Sequence, residues 1–186
     1  MMIKTLCALS LAALLAPQAA KSNPDFKYDE KAGISIQKFP KNDEWDFKEM
    51  GFMKNSKLVV SHKVDELSID VLQAPPATTG SYDLKKQVEV DSAGFGGNPA
   101  FTEFKPTPTQ ASKLPLGGGN GANAQFFQAT FKLKEAPMEL RYWTFLGKEN
   151  QCLYIVVLVS GEGIYKKHQK IADFILGNIK TYKIPK

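Results

Sequence analysis

An α+β domain built on a central antiparallel sheet is the fold class this chain predicts, and three observations predict it. Gln151–Val159 is apolar on both alternating faces, with Cys152, Tyr154, Val156 and Leu158 on one and Leu153, Ile155, Val157 and Val159 on the other. A strand buried on both sides belongs in the middle of a sheet. Beyond Ser160-Gly161-Glu162-Gly163 the apolar spacing changes from two to about 3.6, the helical period. Ile164, His168, Ile171 and Ile175 form the stripe, Ala172, Phe174 and Leu176 widen it, and Lys166, Lys167 and Lys170 fill the polar side. Thirdly, Leu67–Leu72 and Gln125–Lys134 alternate apolar and polar residues, as antiparallel strands with one buried face do.

In chain order, residues 1–20 carry one early lysine, an apolar run from Leu6 to Ala16 and a small-residue end. This is the pattern of a secretory signal peptide, too short to span a bilayer permanently. Cleavage after Ala19 or Ala20 is expected, although Pro17 or Gln18 is a poor third position back; a retained N-terminal anchor is the competing reading. Cys7 sits too early for a lipoprotein cysteine. Export to the periplasm or beyond the cell follows, with no stable membrane span after cleavage.

Residues 21–33 read as a polar, flexible lead-in, and 34–186 as one domain. Ile34–Phe39 alternates as a short strand ended by Pro40. In the mixed run that follows, Asp43 suits the cap of a single helical turn, and Trp45 and Phe47 suit the core. Leu58–Val64 and Leu67–Leu72 pair around Asp65-Glu66, with Ser68 and Asp70 on a partly exposed face. Ser81 suits the N-cap of a short second helix to about Val90, with Leu84 and Val88 inward. Residues 91–124 are rich in Gly, Pro, Asn and Thr, with clusters at Gly94–Gly97 and Gly117–Gly121. They predict a long loop region with brief strands at Phe101–Phe104 and Ser112–Leu116. Glu139–Leu146 is a strand joined to the central one by Gly147 and Lys148-Glu149-Asn150. Gly177-Asn178 is a helix stop, since either residue tolerates a left-handed cap. A short strand ends the chain.

Charge and chemistry narrow the function. Losing residues 1–20 removes Lys4 and no acid, lowering the formal charge from +5 to +4. Arg141 is the only arginine. With lysines and acids interspersed, the excess favours solubility and argues against a nucleic-acid partner. Cys152 alone remains after cleavage, so no internal disulfide forms; it reads as a small buried hydrophobe in the most apolar strand, with a nucleophile or the handle of a disulfide-linked dimer as the competing readings. Neither glycine cluster carries the lysine–hydroxyl ending of a phosphate loop or a GxGxxG pattern. No HxxxH or CxxC spacing gathers metal ligands. Asp43-Glu44 and Asp65-Glu66 read as solvated acids in turns. His62 and His168 are the only neutral-pH bases and neither lies in a motif, so the enzyme signal is weak and no cofactor, metal or catalytic residue is expected.

The order of elements, with the ending YWTFLGKENQCLYIVVLVSGEGIYKKHQKIADFILGNIKTYK, resembles the PsbP-like fold family over Ile34 to Ile184. That family includes the lumenal PsbP subunit of photosystem II, the Ran-binding Mog protein and bacterial periplasmic proteins of the DcrB type. Gly147, Leu153–Leu158 and Phe174–Ile179 fall as the family's ending would. The resemblance implies an α/β/α sandwich and a non-catalytic binding or assembly module with no shared active site, so no functional residue carries over.

The expected partner is therefore a protein or small ligand of the exported compartment. Arg141, Trp143 and Phe145 share one strand face and are the candidate binding residues, being types that concentrate interface energy. Packing of that face by the second helix or by the segment around Trp45 is the competing reading. The alternative function is a secreted hydrolase or thiol-dependent enzyme using Cys152 with His62 or His168.

Overall fold

The computed structural model describes residues 26–37, 44–74, 82–114, 116 and 123–184. The signal-peptide reading, Asp43, Ser81 and Gly117–Gly121 lie outside the described residues. The strands are β1 Phe26–Asp29, β2 Ile34–Gln37, β3 Trp45–Lys48, β4 Leu58–His62, β5 Leu67–Gln73, β6 Phe101–Pro106, β7 Gln110–Ala111, β8 Gln125–Leu133, β9 Ala136–Leu146, β10 Leu153–Gly161 and β11 Ile179–Thr181; the helices are α1 Leu84–Gly96 and α2 Ile164–Gly177. The class is α+β, as the sequence predicts.

The main sheet runs β3-β4-β5-β10-β9-β8-β6, with β7 continuing the β6 edge along β8. Every pairing is antiparallel. The doubly apolar strand β10 lies between β5 and β9, where burial on both sides requires it. Tyr154, Val156 and Leu158 enter one core with Trp143, Phe145, Ile69 and the α2 residues Tyr165, Ala172, Ile175 and Leu176. Val157 and Val159 enter the other, with Phe127, Leu140, Tyr142 and the α1 residues Val88 and Phe95. The sheet is thus sandwiched between the helices.

Several local expectations are corrected. Phe26–Asp29, expected in a loose lead-in, is strand β1 of a second, three-stranded sheet, β1-β2-β11. Asn150 ties that sheet to the main one: its side-chain amide donates to Tyr182 O at 2.7 Å and to the Tyr154 hydroxyl at 2.8 Å. Trp45–Lys48 is an edge strand and not a helical turn, because it pairs with β4 while Trp45 fills the α2-side core. The second helix starts later and ends later than expected. Asp83 caps it, its carboxylate accepting from Lys86 N at 3.0 Å, and it runs through Gly94 and Gly96. Phe95 outweighs those glycines by burying against Phe101, Phe104, Phe127 and Tyr142.

Within the span expected as loop, β6 runs to Pro106 and the second brief strand falls at Gln110–Ala111 rather than 112–116. In α2, Tyr165 replaces Phe174 in the buried stripe; Phe174 is exposed. The helix stop uses a side chain rather than a left-handed residue: Asn178 has φ −100° and its side-chain amide donates to Phe174 O at 2.8 Å.

Asp70, expected on a partly exposed face, is fully buried. Residues 51–56 cross over it, so its carboxylate accepts from Met53 N at 2.8 Å, Ser56 Oγ at 2.9 Å and Ser68 Oγ at 2.5 Å. Three donors are what make a buried carboxylate tolerable without a cation. Gly51 lies so close to that carboxylate that a Cβ there would collide with it.

Candidate functional site

The strand alternation of β9 sends Arg141, Trp143 and Phe145 to the α2 side of the sheet. α2 crosses that face without reaching the β7–β8 edge, which leaves a groove of about 650 Å³ between them. Phe126, Gln128, Arg141 and Trp143 line it from the sheet, Tyr165 and Lys166 from α2, and Lys113 from the stretch after β7. Trp143 and Phe126 meet with ring centroids 5.0 Å apart, as cross-strand partners in the β8–β9 register. Trp143 is itself buried, at 3% exposure, and Phe145 is fully buried, stacked on Tyr154 at 5.4 Å in the core beneath; of the three candidate residues only Arg141 is half-exposed.

Arg141 is held from two directions. Its guanidinium donates to Glu139 Oε2 at 2.9 Å and lies over the Tyr165 ring, 3.6 Å from the centroid. Glu139 Oε1 accepts from Gly163 N at 3.1 Å, so the same carboxylate fixes the start of α2. Tyr165 donates its hydroxyl to Asp173 at 2.6 Å, and burial first, then that carboxylate, push its phenol well above the usual range. Glu139 and Asp173 are thereby engaged within the chain, while Lys113 and Lys166 are exposed on the rim.

At the end of α2 nearest Gly163, the chain brings together residues that its linear order separates. His62 closes β4 and His168 lies in α2, yet their ring centroids are 4.2 Å apart, and Trp45 packs edge-on against both. Asp65, in the β4–β5 turn, accepts from His168 Nε2 at 2.5 Å and from Lys167 Nζ at 2.7 Å. The bonds from Lys167 and then His168 hold its carboxyl at about 2. The reading of Asp65 as a merely solvated acid is corrected: it ties the helix to the hairpin. No linear motif could signal a cluster whose members are 103 residues apart; the only hint was that both histidines fall on buried stripes.

Cys152 is absent from this cluster. It lies one residue before β10, half-buried in the turn, with its backbone N–H donating to Asn150 Oδ1 at 3.0 Å. β10 pairs Tyr154 with Gln73 and Ser160 with Leu67, so Cys152 and the histidines lie at opposite ends of these strands. At about 3.3 Å per residue that separation is on the order of 20 Å. The structure does not bring Cys152 to either histidine.

No protein family and no curated protein matches the chain in sequence. Solved structures do match it in fold. LpqN, involved in cell envelope biogenesis of Mycobacterium tuberculosis, aligns over 81% of this chain and 83% of its own, with 13% identity and a TM-score of 0.53. That likeness shows a shared fold. Cyanobacterial PsbP from Synechocystis aligns over 90% of this chain and 99% of its own at 13% identity and a TM-score of 0.46. PsbP is a member of the family that the chain's ending resembles. A Bacteroides thetaiotaomicron protein aligns over 86% of this chain and 48% of its own, at 10% identity and a TM-score of 0.45. Among the described residues no helix is long and apolar enough to cross a membrane.

Proposed function

We propose that this chain is an exported, non-catalytic binding or assembly protein that takes its partner in the groove between α2 and the β7–β8 edge. The observation that carries the reading is that groove's build. Its floor is an aromatic pair, Phe126 and Trp143, and its one arginine is held flat by Glu139 and Tyr165. A preset aromatic and arginine surface is where binding energy concentrates. Phe145 supports the floor from within and is not a contact residue in this reading.

With Glu139 bonded to Arg141 and Asp173 to Tyr165, the rim charge that faces outward is cationic, from Lys113 and Lys166. The partner is a protein or small ligand that sets an apolar or planar group on the half-buried Phe126, backed by the buried Trp143, and a negative group near those lysines. Export rests on the apolar leader at residues 1–20. The likeness to LpqN, described as involved in cell envelope biogenesis, fits an envelope role for this chain.

The test is capture from an extract of the exported compartment. Wild type is compared with the double variant Lys113→Glu, Lys166→Glu, which reverses two exposed rim charges without touching the core. Species retained by wild type and lost by the variant support the groove. Identical retention by both contradicts it.

A further inference from the structure

We infer that His62 is the acid-sensitive catch of a latch that holds the start of α2, and with it one wall of the groove, against the β4–β5 hairpin. The inference rests on the proposed function only in calling that wall functional; the latch itself is argued from the histidine cluster.

Glu44, His62 and His168 offer ligand atoms within 4.8 Å of one another, a spacing a divalent cation could use. The donor chemistry does not fit one. His62 Nδ1 accepts from Asp65 N at 2.9 Å and from Val64 N at 3.3 Å. A neutral imidazole that accepts at one nitrogen carries its proton on the other. The proton therefore sits on Nε2, the atom that would have to offer a lone pair to the metal. That Nε2 is buried, with the side chain 4% exposed, and has no hydrogen-bond partner; the Glu44 carboxylate stands 3.6 Å away.

The same geometry makes Nδ1 the sensitive atom. A proton added there converts the acceptor of two turn N–H groups into a third donor facing them. Both bonds must break, and the turn that carries Asp65 must open. The groups facing the ring are Glu44 ahead of β3, Asp65 in the turn, and His168 with Lys167 behind it on α2. Glu44 can answer a charge at the Nε2 end of the ring; at the Nδ1 end the nearest carboxylate is Asp65 Oδ2 at 4.0 Å, the same oxygen that ties Lys167 and His168, so a proton there competes with the helix for it. The His168 ring, 4.2 Å away and bonded to Asp65, adds a second titratable imidazole against the first.

What the turn controls follows from how α2 begins. Its N-cap is Gly163, at φ +75°, with no side-chain cap. The first turns are tied down by Asp65 to Lys167 and His168, and by Glu139 to Gly163 N. Opening the turn removes the Asp65 ties together. Tyr165 and Lys166, which line the groove, lie on that same stretch of helix.

Backbone-amide NMR of the full chain, titrated without any ligand from about pH 7.5 to about pH 5, where histidine changes charge, tests this. In wild type the Val64 and Asp65 amides and those of residues 164–169 should move together with a single midpoint. His62→Asn keeps an oxygen acceptor near the Nδ1 position and cannot titrate, so in that variant the Val64 amide should stay still and lose its common midpoint with residues 164–169, where His168 remains to move its own neighbours. A variant that titrates like wild type overturns the latch. Ring nitrogen shifts of wild type near neutral pH give a second reading that needs no variant: His62 protonated on Nε2 supports the inference, and protonation on Nδ1 contradicts it. Because no partner is present, the latch can fail while the groove reading stands, and the reverse.

Discussion

The two faces of the main sheet are built from similar residues and finished differently. On the α1 face the polar groups that are buried find partners: Tyr142 donates to Asp91, Gln87 donates to the same carboxylate, and Asp70 gathers three donors. The four buried side-chain polar atoms that, among the described residues, have no hydrogen-bond partner lie elsewhere: Trp45 Nε1, His62 Nε2 and Ser160 Oγ on the α2 face, and Thr181 Oγ1 in β11 of the smaller sheet. A finished core leaves few such atoms, and each one calls for a reason. The α1 face pairs its buried polar groups, and it too bears a pocket, of about 540 Å³, beside Phe52, Met138 and Val159. The α2 face borders a groove and a histidine cluster, and carries unpaired groups.

The largest expected effect tests whether the faces are equally solid beneath that difference. Phe127→Ala on the α1 face should cost roughly 3–5 kcal/mol in denaturant unfolding, as aromatic truncations in cores do. Trp143 is only 3% exposed, so Trp143→Ala should cost a similar amount, making it the packed floor of the groove. A near-zero loss for Trp143 would mean that the α2 face is open well beyond the groove.

A smaller effect addresses the polar asymmetry itself. Tyr142→Phe removes a bond to a carboxylate and should destabilise by about 1.5–3 kcal/mol. Ser160→Ala removes a hydroxyl that bonds to nothing in the chain, and should change stability by less than about 0.5 kcal/mol or improve it. If Ser160→Ala costs as much as Tyr142→Phe, the contrast between the faces is wrong.

The smallest expected effect comes from acid. Asp65 is held at about 2, below its ordinary value of 3.8, by Lys167 and His168. A carboxyl held down in the folded state stabilises above its ordinary value and loses that contribution as pH falls toward the folded one. Thermal melts of wild type and Asp65→Asn should therefore differ most near neutral pH, where the latch is closed, and whatever gap remains should be lost between about pH 4 and about pH 2. A constant gap across that range would remove Asp65 from the helix tie.

The same asymmetry explains what was legible in the sequence. Period-two and period-3.6 patterns follow from burial, so β8, β9, β10 and α2 could be read directly from residues such as Val156 and Ile175. So could the sharing of one face by Arg141 and Trp143. Where burial depends on a distant segment the pattern misleads. Asp70 reads as exposed because nothing local reveals that residues 51–56 will cover it. Gly94 and Gly96 read as loop because nothing local reveals the aromatic cluster waiting for Phe95. The groove was half legible, since strand parity places Arg141 and Trp143 but cannot say where α2 stops. The histidine cluster was illegible, because it depends on how the helix is laid back across the hairpin.

The central claim is that the α2 face, and not the α1 face, meets the partner. It is tested most directly by placing a photo-crosslinking residue at Gln128, exposed in the groove, or at Val90, exposed on α1 with 59% of its surface accessible. Both sites are on the surface, so neither substitution disturbs the core. Irradiated in an extract of the exported compartment, the protein should form a discrete adduct from position 128 and none from position 90. An adduct from position 90 alone would contradict the account.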